Sequence, residues 1–278
     1  MASDRRSFRA AVVQVNAGND MDHNIWRALD AVRRARAAGA EIVFLPENVA
    51  MMELGRENVL AQARTEAEHP ALAAFRGVAR ETGAWVHGGT LAILTEDGRA
   101  ANRTYLIAPD GSVAAHYDKI HMFDVDLSAT ESYQESDTFQ PGERAVVADL
   151  PWTRLGLTVC YDVRFPALHR ALAQAGAEVI AVPAAFTVPT GQAHWHVLLR
   201  ARAIETGCYV LAPAQCGTHP RDRRTYGHAL IIDPWGQVLA DAGEADFEIL
   251  HATIDPEQVD EARRRVPALS HDRVFAAP

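Results

Sequence analysis

Three side chains of reactive type each follow an apolar stretch that is typical of a buried strand. Glu47 ends "EIVFLPE", Lys119 follows "SVAAHYD" and Cys160 ends "RLGLTVC". In open α/β sheets, functional groups collect just beyond the carboxyl ends of strands, so these residues can meet. A thiolate attacks an acyl carbon, a carboxylate takes the thiol proton, and an ammonium favours the thiolate. Such a set breaks an acyl carbon–nitrogen bond without a histidine, a metal or a cofactor.

The same chemistry needs hydrogen-bond donors for the carbonyl oxygen, which gains negative charge when the sulfur attacks. Lys119 and the backbone N–H of Tyr161, at a strand-to-helix turn, are the candidates. Each residue also has a simpler interpretation: Glu47 as a helix cap, Lys119 as a solvated surface charge, and Cys160 as a core thiol. Only their combination favours catalysis.

Other reactive side chains are less suited to a site. His194 and His196 in "HWH" point apart if they lie on a helix, so packing is favoured over a metal pair. His121 could form a Cys–His arrangement, but the sequence does not set its distance from the thiol. Cys208 and Cys216 bracket an apolar strand and are interpreted as packing residues. Phosphate-binding loops and zinc-type cysteine spacings are absent from the sequence.

The order of elements that would position these groups is that of an α/β protein. Strands are predicted in "FRAAVVQV", "AEIVFLPE", "AWVHGGTLAIL", "RLGLTVCYD", "AEVIAVPAAF" and "CYVLAPAQC". Helices are predicted at about 22–38, 70–83 and 192–206, in "PALHRALAQAG" and in "IDPEQVDEARRR". Hairpins are expected around 84–117 and at "DPWGQV", and a long loop at 121–141.

A short segment recurs in the two halves of the chain. "AGAEIVFLP" at 38–46 and "AGAEVIAVP" at 175–183 share five identical residues, and the other four are apolar in both. Chance similarity between two α/β units is one explanation, since glycine stops and apolar strands are common. The alternative is two related β–α–β halves in one domain, with two sheets face to face and the helices outside. No Pro/Ser/Gly-rich linker separates the halves.

The composition is that of a globular protein with a sizeable core. Hydrophobic residues make up 48% of the chain and charged residues 23%, and the formal net charge is −9. This acidic balance argues against a nucleic-acid partner, and the sequence has no run of about 18 apolar residues that could span a membrane. Three cysteines do not form a disulfide framework, so a cytoplasmic location is expected.

Three stretches resemble the signatures of the nitrilase superfamily of carbon–nitrogen hydrolases; they are "FLPE", "HYDKIHMFD" and "GLTVCYDVRFP". They occur in the family's order and approximate spacing, and the resemblance covers about residues 8–270. It implies a four-layer α-β-β-α sandwich that forms a homodimer. It also implies that Glu47 is the base, Lys119 the oxyanion stabiliser and Cys160 the nucleophile. A second acid of the family falls on Glu135 in "YQESDT".

Within the superfamily, "AFTVPTGQAHWHVLLRARAIETGCYVLAPAQCG" and "TYGHALIIDPWG" resemble the branch that contains ω-amidase and deaminated-glutathione amidase. The stretch 214–229 resembles the second more closely. Both hydrolyse the amide at the far end of a 2-oxo dicarboxylic acid, and their leaving groups are ammonia and a cysteinyl-glycine tail. The resemblance implies that Arg164 holds the 2-oxo acid carboxylate and that Thr190 assists it. Guanidinium suits this role, since it binds a carboxylate through two parallel hydrogen bonds.

The leading hypothesis is therefore a cysteine-dependent amidase acting through a thioester, with deaminated glutathione as substrate. A 2-oxo acid amide with ammonia as leaving group, an N-carbamoyl amino acid and a nitrile are alternatives, and an inactive binding protein of the same fold is a rival. One domain is expected over 8–270, with tails at 1–7 and 271–278, no cofactor and no metal. Three arginines either carry surface charge or bind the carboxylate of a peptide-like leaving group: Arg221, Arg223 and Arg224.

Overall fold

The computed structural model describes residues 6–128 and 131–276. The α-helices of this part of the chain are α1 (Met21–Ala37), α2 (Arg56–Gln62), α3 (Pro70–Thr82), α4 (Pro166–Gln174), α5 (Val188–Thr190), α6 (His196–Thr206) and α7 (Pro256–Arg265). Its strands are β1 (Phe8–Val15), β2 (Ile42–Phe44), β3 (Trp85–Leu94), β4 (Ala100–Ile107), β5 (Val113–Asp118), β6 (Asp124–Ser128), β7 (Glu131–Gln134), β8 (Val146–Asp149), β9 (Arg154–Leu157), β10 (Val179–Ala181), β11 (Tyr209–Ala212), β12 (Ala214–Thr218), β13 (Arg224–Tyr226), β14 (Leu230–Ile232), β15 (Val238–Asp241) and β16 (Phe247–Ile254).

The strands form two large sheets and one hairpin. The first sheet has the order β13-β12-β1-β2-β3-β4-β5, and β16 pairs with β1 in antiparallel register. The second has the order β15-β14-β11-β10-β9-β8, and β6 pairs only with β7 among the described residues. In both sheets the central strands are parallel, so their carboxyl ends lie at one edge.

Alternate side chains of β1 face opposite sides of its sheet, as strand geometry requires. Ala10 and Val12 belong to the core between the two sheets, together with apolar residues of β9, β10 and β11. Ala11, Val13 and Val15 belong to a second core, which contains the apolar faces of α1 and α3. Helices α4 and α6 pack beside the second sheet. The four-layer α-β-β-α sandwich is thereby confirmed.

The recurring segment has the same backbone arrangement in both halves. Glu41 donates its N–H to the Arg9 carbonyl at 2.8 Å, and Glu178 donates to the Arg154 carbonyl at 2.9 Å. The glycine two residues before each glutamate has a left-handed backbone, with φ of 93° in the first half and 94° in the second. A glycine meets this requirement at low cost. The repeat thus corresponds to two β–α–β units of like geometry, β1-α1-β2 and β9-α4-β10.

Most of the predicted elements are confirmed, including the antiparallel run β3-β4-β5, the hairpin β14-β15 and the final helix α7. The helix predicted at 192–206 is α6, preceded by a π-helical turn at Gly191–Trp195. Within the described residues, no helix combines the length and apolar character that crossing a membrane requires.

The loop predicted at 121–141 is wrong for much of its length, because β6 and β7 form a hairpin there. Side chains of both strands alternate between exposed and half-buried positions. This is the period-two pattern of a strand with one covered face, and "DVDLS" carries it in the sequence. Residues 129–130, inside the predicted loop, lie outside the described residues.

The strand predicted in "CYVLAPAQC" is two strands in different sheets. β11 pairs with β10 and β14 in the second sheet, and β12 pairs with β1 in the first. Pro213 separates them; it has no N–H for a ladder, and its carbonyl accepts from the Ala184 N–H at 2.9 Å. The chain therefore crosses between the sheets at this proline. Cys208 and Cys216 are buried, so their predicted packing role is confirmed.

Gly89→Ala is expected to lower the melting temperature more than Gly83→Ala. Both glycines have a left-handed backbone, with φ of +60° and +67°, where a side chain costs about 1–2 kcal/mol. A Cβ at position 83 meets no atom within 4 Å, whereas one at position 89 would lie 2.1 Å from the Pro46 carbonyl oxygen. The chain after β2, which carries Glu47, would have to move. Thermal unfolding measures the difference, and equal shifts in the two variants contradict it.

Candidate active site

The four predicted catalytic residues line one cavity. Glu47, Lys119, Glu135 and Cys160 face a space of about 350 Å³ at the carboxyl ends of the strands. Tyr161 and Thr190 also line it, and aromatic side chains of the β6-β7 hairpin and of the loop after β10 form part of its wall. The structure thus brings together groups that lie far apart in the sequence.

Cys160 follows β9 and begins a 3₁₀ turn that runs to Arg164. Its N–H donates to the Pro183 carbonyl at 2.9 Å, and its φ of 47° is left-handed. A residue other than glycine held in this region costs about 1–3 kcal/mol, and such strain clusters at functional sites. Cys160 is only 7% exposed. It faces the cavity and not the outer surface.

Asp162 fixes the turn that carries the nucleophile. Its carboxylate accepts from the Val159 N–H at 2.8 Å, from the Tyr117 hydroxyl at 2.7 Å and from the His121 N–H at 3.1 Å. The His121 ring nitrogen Nδ1 also lies 2.6 Å from this carboxylate. His121 is therefore engaged with Asp162, which does not support a Cys–His pair. The buried Asp162 holds the turn against β5 and the chain that follows it.

Glu47, Lys119 and Glu135 form a buried charge cluster. The Lys119 Nζ lies 3.2 Å from Glu47 Oε1, 2.9 Å from Glu135 Oε1 and 2.7 Å from Glu135 Oε2. The other oxygen of Glu47 accepts from the Ala185 N–H at 2.8 Å. Glu47 and Lys119 are 3% and 2% exposed, so water screens these charges little.

The protonation states follow from burial and from these charges. Burial and the Glu47 carboxylate raise the pKa of the Cys160 thiol well above its usual value, although Lys119 opposes them. Burial alone would raise the pKa of Glu47, but Lys119, a hydrogen bond from Cys160 and the charge of Arg223 lower it overall. Burial opposes the charge of Lys119, yet the two carboxylates raise its pKa. The resting site therefore holds a neutral thiol beside an ionised Glu47.

Arg164 does not line the cavity. Its guanidinium packs against two lining rings, with its Cζ 5.7 Å from the Tyr161 ring centre and 5.4 Å from that of Phe186. Its NH1 and NH2 each lie 3.3 Å from His194 Nδ1. Thr190 lines the cavity, and its hydroxyl lies 2.8 Å from the Thr187 hydroxyl. Thr190 thus reaches the cavity directly, whereas Arg164 contacts it only through residues that line it.

The histidines of "HWH" do not converge. His194 contacts Arg164, whereas His196 Nε2 lies 3.0 Å from Asp241 Oδ2. Their divergence, predicted from their spacing on a helix, is confirmed. The residue between them, Trp195, is fully buried and donates its ring N–H to the His228 carbonyl at 2.8 Å.

Asn102 of β4 belongs to the site but was not predicted from the sequence. Its side-chain amide donates to Glu47 Oε1 at 2.9 Å and to Glu135 Oε1 at 3.2 Å, so it holds both carboxylates in place. The available signal was a run of three polar residues, 102–104, within this strand. Arg223, left open between a surface and a binding role, lines the cavity.

The four-layer sandwich is the fold of the nitrilase superfamily, and the cavity lies at the strand ends where that fold collects its reactive groups. The family model of carbon–nitrogen hydrolases matches residues 9–264. The chain therefore belongs to the carbon–nitrogen hydrolase family.

Individual relatives agree with this assignment. The chain is 41% identical to the deaminated glutathione amidase of Synechocystis sp., over 97% of this chain and 99% of that protein. The crystal structure of the NitFhit protein of C. elegans has a TM-score of 0.89 at 36% identity, over 97% of this chain and 66% of that one. A glutamate-to-glutamine mutant of the Nesterenkonia sp. AN1 amidase has a TM-score of 0.79 at 27% identity, over 94% and 98% of the two chains. That mutant shows Michael addition of acrylamide at its active-site cysteine.

Glu47→Gln is expected to lower the pKa of the Cys160 thiol. The substitution removes the negative charge that raises this pKa and leaves Lys119, which lowers it. The pH midpoint for alkylation by iodoacetamide should therefore move to lower pH, while hydrolysis of substrate is lost. Glu53→Gln is the matched control, because Glu53 also lines the cavity but pairs with Arg221. An unchanged or higher midpoint in Glu47→Gln would contradict these electrostatics.

Proposed function

We propose that the protein is an amidase that hydrolyses the amide of a 2-oxo acid through a thioester on Cys160, with deaminated glutathione as substrate. The observation that carries this proposal is that Cys160, Glu47 and Lys119 line one cavity, in which the Lys119 Nζ lies 3.2 Å from Glu47 Oε1. The set contains a nucleophile, a proton acceptor and a donor for a developing oxyanion. Acyl transfer needs all three.

In the first half of the reaction Cys160 becomes acylated. The sulfur attacks the amide carbon while the thiol proton passes to Glu47, and the carbonyl oxygen gains the negative charge. Two donors stabilise this oxyanion. One is the backbone N–H of Tyr161. The other is Lys119, which contacts both oxygens of Glu135 and can give up one of these contacts to bind the oxyanion. The tetrahedral intermediate then expels the amine, which takes the proton from Glu47 and leaves a thioester.

In the second half, water hydrolyses the thioester. Glu47 accepts a proton from the water as its oxygen attacks the thioester carbon, and the same donors stabilise the new oxyanion. Collapse of this intermediate expels the sulfur, which recovers its proton from Glu47. Glu135 positions the Lys119 ammonium throughout, because it holds this group at 2.7–2.9 Å. The products are the free 2-oxo dicarboxylic acid and the amine.

The relatives support the choice of substrate, since several at 37–41% identity are named deaminated glutathione amidase. We propose that Arg164 binds the 2-oxo acid carboxylate and that Thr190 assists it. Support comes from Thr190, which is buried and lines the cavity, and from the position of Arg164 against two lining rings. Its guanidinium has no ion pair among the described residues.

Amine release from a panel of substrates tests the proposed function. We expect the fastest turnover with deaminated glutathione, followed by 2-oxoglutaramate, and little with an N-carbamoyl amino acid or a simple nitrile. Cys160→Ala should abolish all turnover and still melt cooperatively, because the substitution removes only the nucleophile. Full activity of Cys160→Ala would overturn the mechanism, and faster ammonia release from 2-oxoglutaramate would identify an ω-amidase.

We further propose that the protein is a homodimer that associates through the outer face of α6. Val197 and Ile204 lie seven residues apart on this helix, on one face, and are 67% and 53% exposed. The neighbouring turn after β14 adds Trp235, which is 51% exposed. Position 236 of that turn approaches Ile204 closely, so these apolar side chains form one patch. Contiguous exposed apolar surface of this kind marks protein–protein contacts.

Ile204→Glu is expected to convert the dimer into a monomer, because it places a charge in the apolar patch. Size-exclusion chromatography with light scattering gives the mass of each species. Leu94→Glu is the matched control, since Leu94 is an exposed apolar residue of the other sheet. A monomeric wild-type protein would contradict this interface. A dimer that persists in Ile204→Glu but dissociates in Leu94→Glu would also contradict it.

A further inference from the structure

The three arginines that follow His219 have different surroundings. Arg221 pairs with Glu53 at 2.9 Å, and the Glu53 side chain is only 4% exposed. Arg224 begins β13 and is exposed. Arg223 alone of the three lines the cavity that holds the catalytic cysteine. The structure therefore singles out one member of this cluster for a role in binding.

The guanidinium of Arg223 is only partly satisfied. One terminal nitrogen donates to the Ala185 carbonyl at 3.3 Å, and the Cζ atom lies 5.7 Å from the Tyr133 ring centre. Its Nε is shielded from solvent and has no hydrogen-bond partner among the described residues. Within the described residues, no carboxylate lies within ion-pair distance of the Arg223 guanidinium. A buried donor without a partner is costly, and a ligand that accepts from it removes this cost.

The backbone beneath Arg223 is held in place before any ligand arrives. The His219 N–H donates to the Arg223 carbonyl at 2.8 Å and closes the loop on itself. The buried His219 ring contacts the Ala17 carbonyl at 2.8 Å and the Thr225 hydroxyl at 2.6 Å. Glu53, which also lines the cavity, is paired with Arg221 and not with Arg223. The backbone of Arg223 is thus fixed, and its guanidinium has no ion-pair partner in the part of the chain that the structure describes.

We propose that Arg223 forms a carboxylate-binding subsite for the leaving group, which receives the terminal carboxylate of the cysteinyl-glycine tail. This inference rests on the proposed amidase function. The substrate carries a carboxylate at each end. Arg223 lines the cavity beside Tyr133, and Arg164 packs against the lining rings of Tyr161 and Phe186. The planar guanidinium binds a carboxylate through two parallel N–H donors, which fixes orientation as well as charge.

The subsite makes the enzyme selective for the leaving group. An amide whose leaving group is ammonia leaves Arg223 without a partner, whereas a dipeptide with a free carboxylate satisfies it. Arg223 also lowers the pKa of Glu47, so its loss would affect every substrate to some degree. The ratio of kcat/KM for two substrates, measured on the same variant, cancels this common effect. Only the subsite changes the ratio.

The test compares deaminated glutathione with an analogue in which the glycine carboxylate is a carboxamide. For wild type we expect kcat/KM to be about 10- to 100-fold higher for the acid, since hydrogen bonds to charged groups have this strength. Arg223→Gln should bring the ratio close to one, mainly through KM, and Arg223→Lys should restore part of it. Arg224→Gln is the matched control and should keep the wild-type ratio.

Arg164→Ala provides the complementary result. It should weaken both substrates alike, because they share the same 2-oxo acid end. The subsite is overturned if the kcat/KM ratio of acid to carboxamide is near one in wild type, or if it is unchanged in Arg223→Gln. Turnover of both substrates would still support the amidase function. If wild type hydrolyses neither compound nor 2-oxoglutaramate, the proposed function fails and the subsite with it. The wild-type ratio alone decides the question if the Arg223 variants do not fold.

Discussion

The ammonium of Lys119 is a positive charge inside the protein, and the arrangement of the surrounding strands depends on it. An unpaired buried charge costs several kcal/mol, which only close partners can offset. Lys119 follows β5, and its partners Glu47 and Glu135 follow β2 and the β6-β7 hairpin. Asn102 of β4 binds both carboxylates. Four separate elements are thus held at one point by a single charge cluster, and the cavity forms where they meet.

The same cluster sets the state of the nucleophile. Glu47 lies beside Cys160, so a resting thiolate would place a second negative charge next to this buried carboxylate. Burial and Glu47 accordingly keep the thiol protonated. When the sulfur attacks, its proton passes to Glu47 and the negative charge appears on the carbonyl oxygen. The total charge of the site stays constant during this step, because the charge moves from Glu47 to the oxyanion.

The sequence predicts the parts of this site that follow apolar strands. Glu47, Lys119 and Cys160 could be placed together because parallel strands end at one edge, and an apolar run shows where a strand ends. Glu135 could be named only through the family resemblance, since it follows a hairpin that the sequence analysis took for a loop. Arg223 comes from an ordinary polar loop. Its approach to the cavity depends on contacts such as that of His219 with Ala17, which no local pattern contains.

The two related halves contribute different groups to one site. The shared segment aligns β1 with β9 and β2 with β10, so Cys160 corresponds to Val15, and Glu47 corresponds to Ala184. Both counterparts are buried apolar residues without reactive groups. Here the second half supplies the thiol and the first supplies its acceptor. Because the proton must cross from one half to the other, the reaction requires the two sheets to keep their packing.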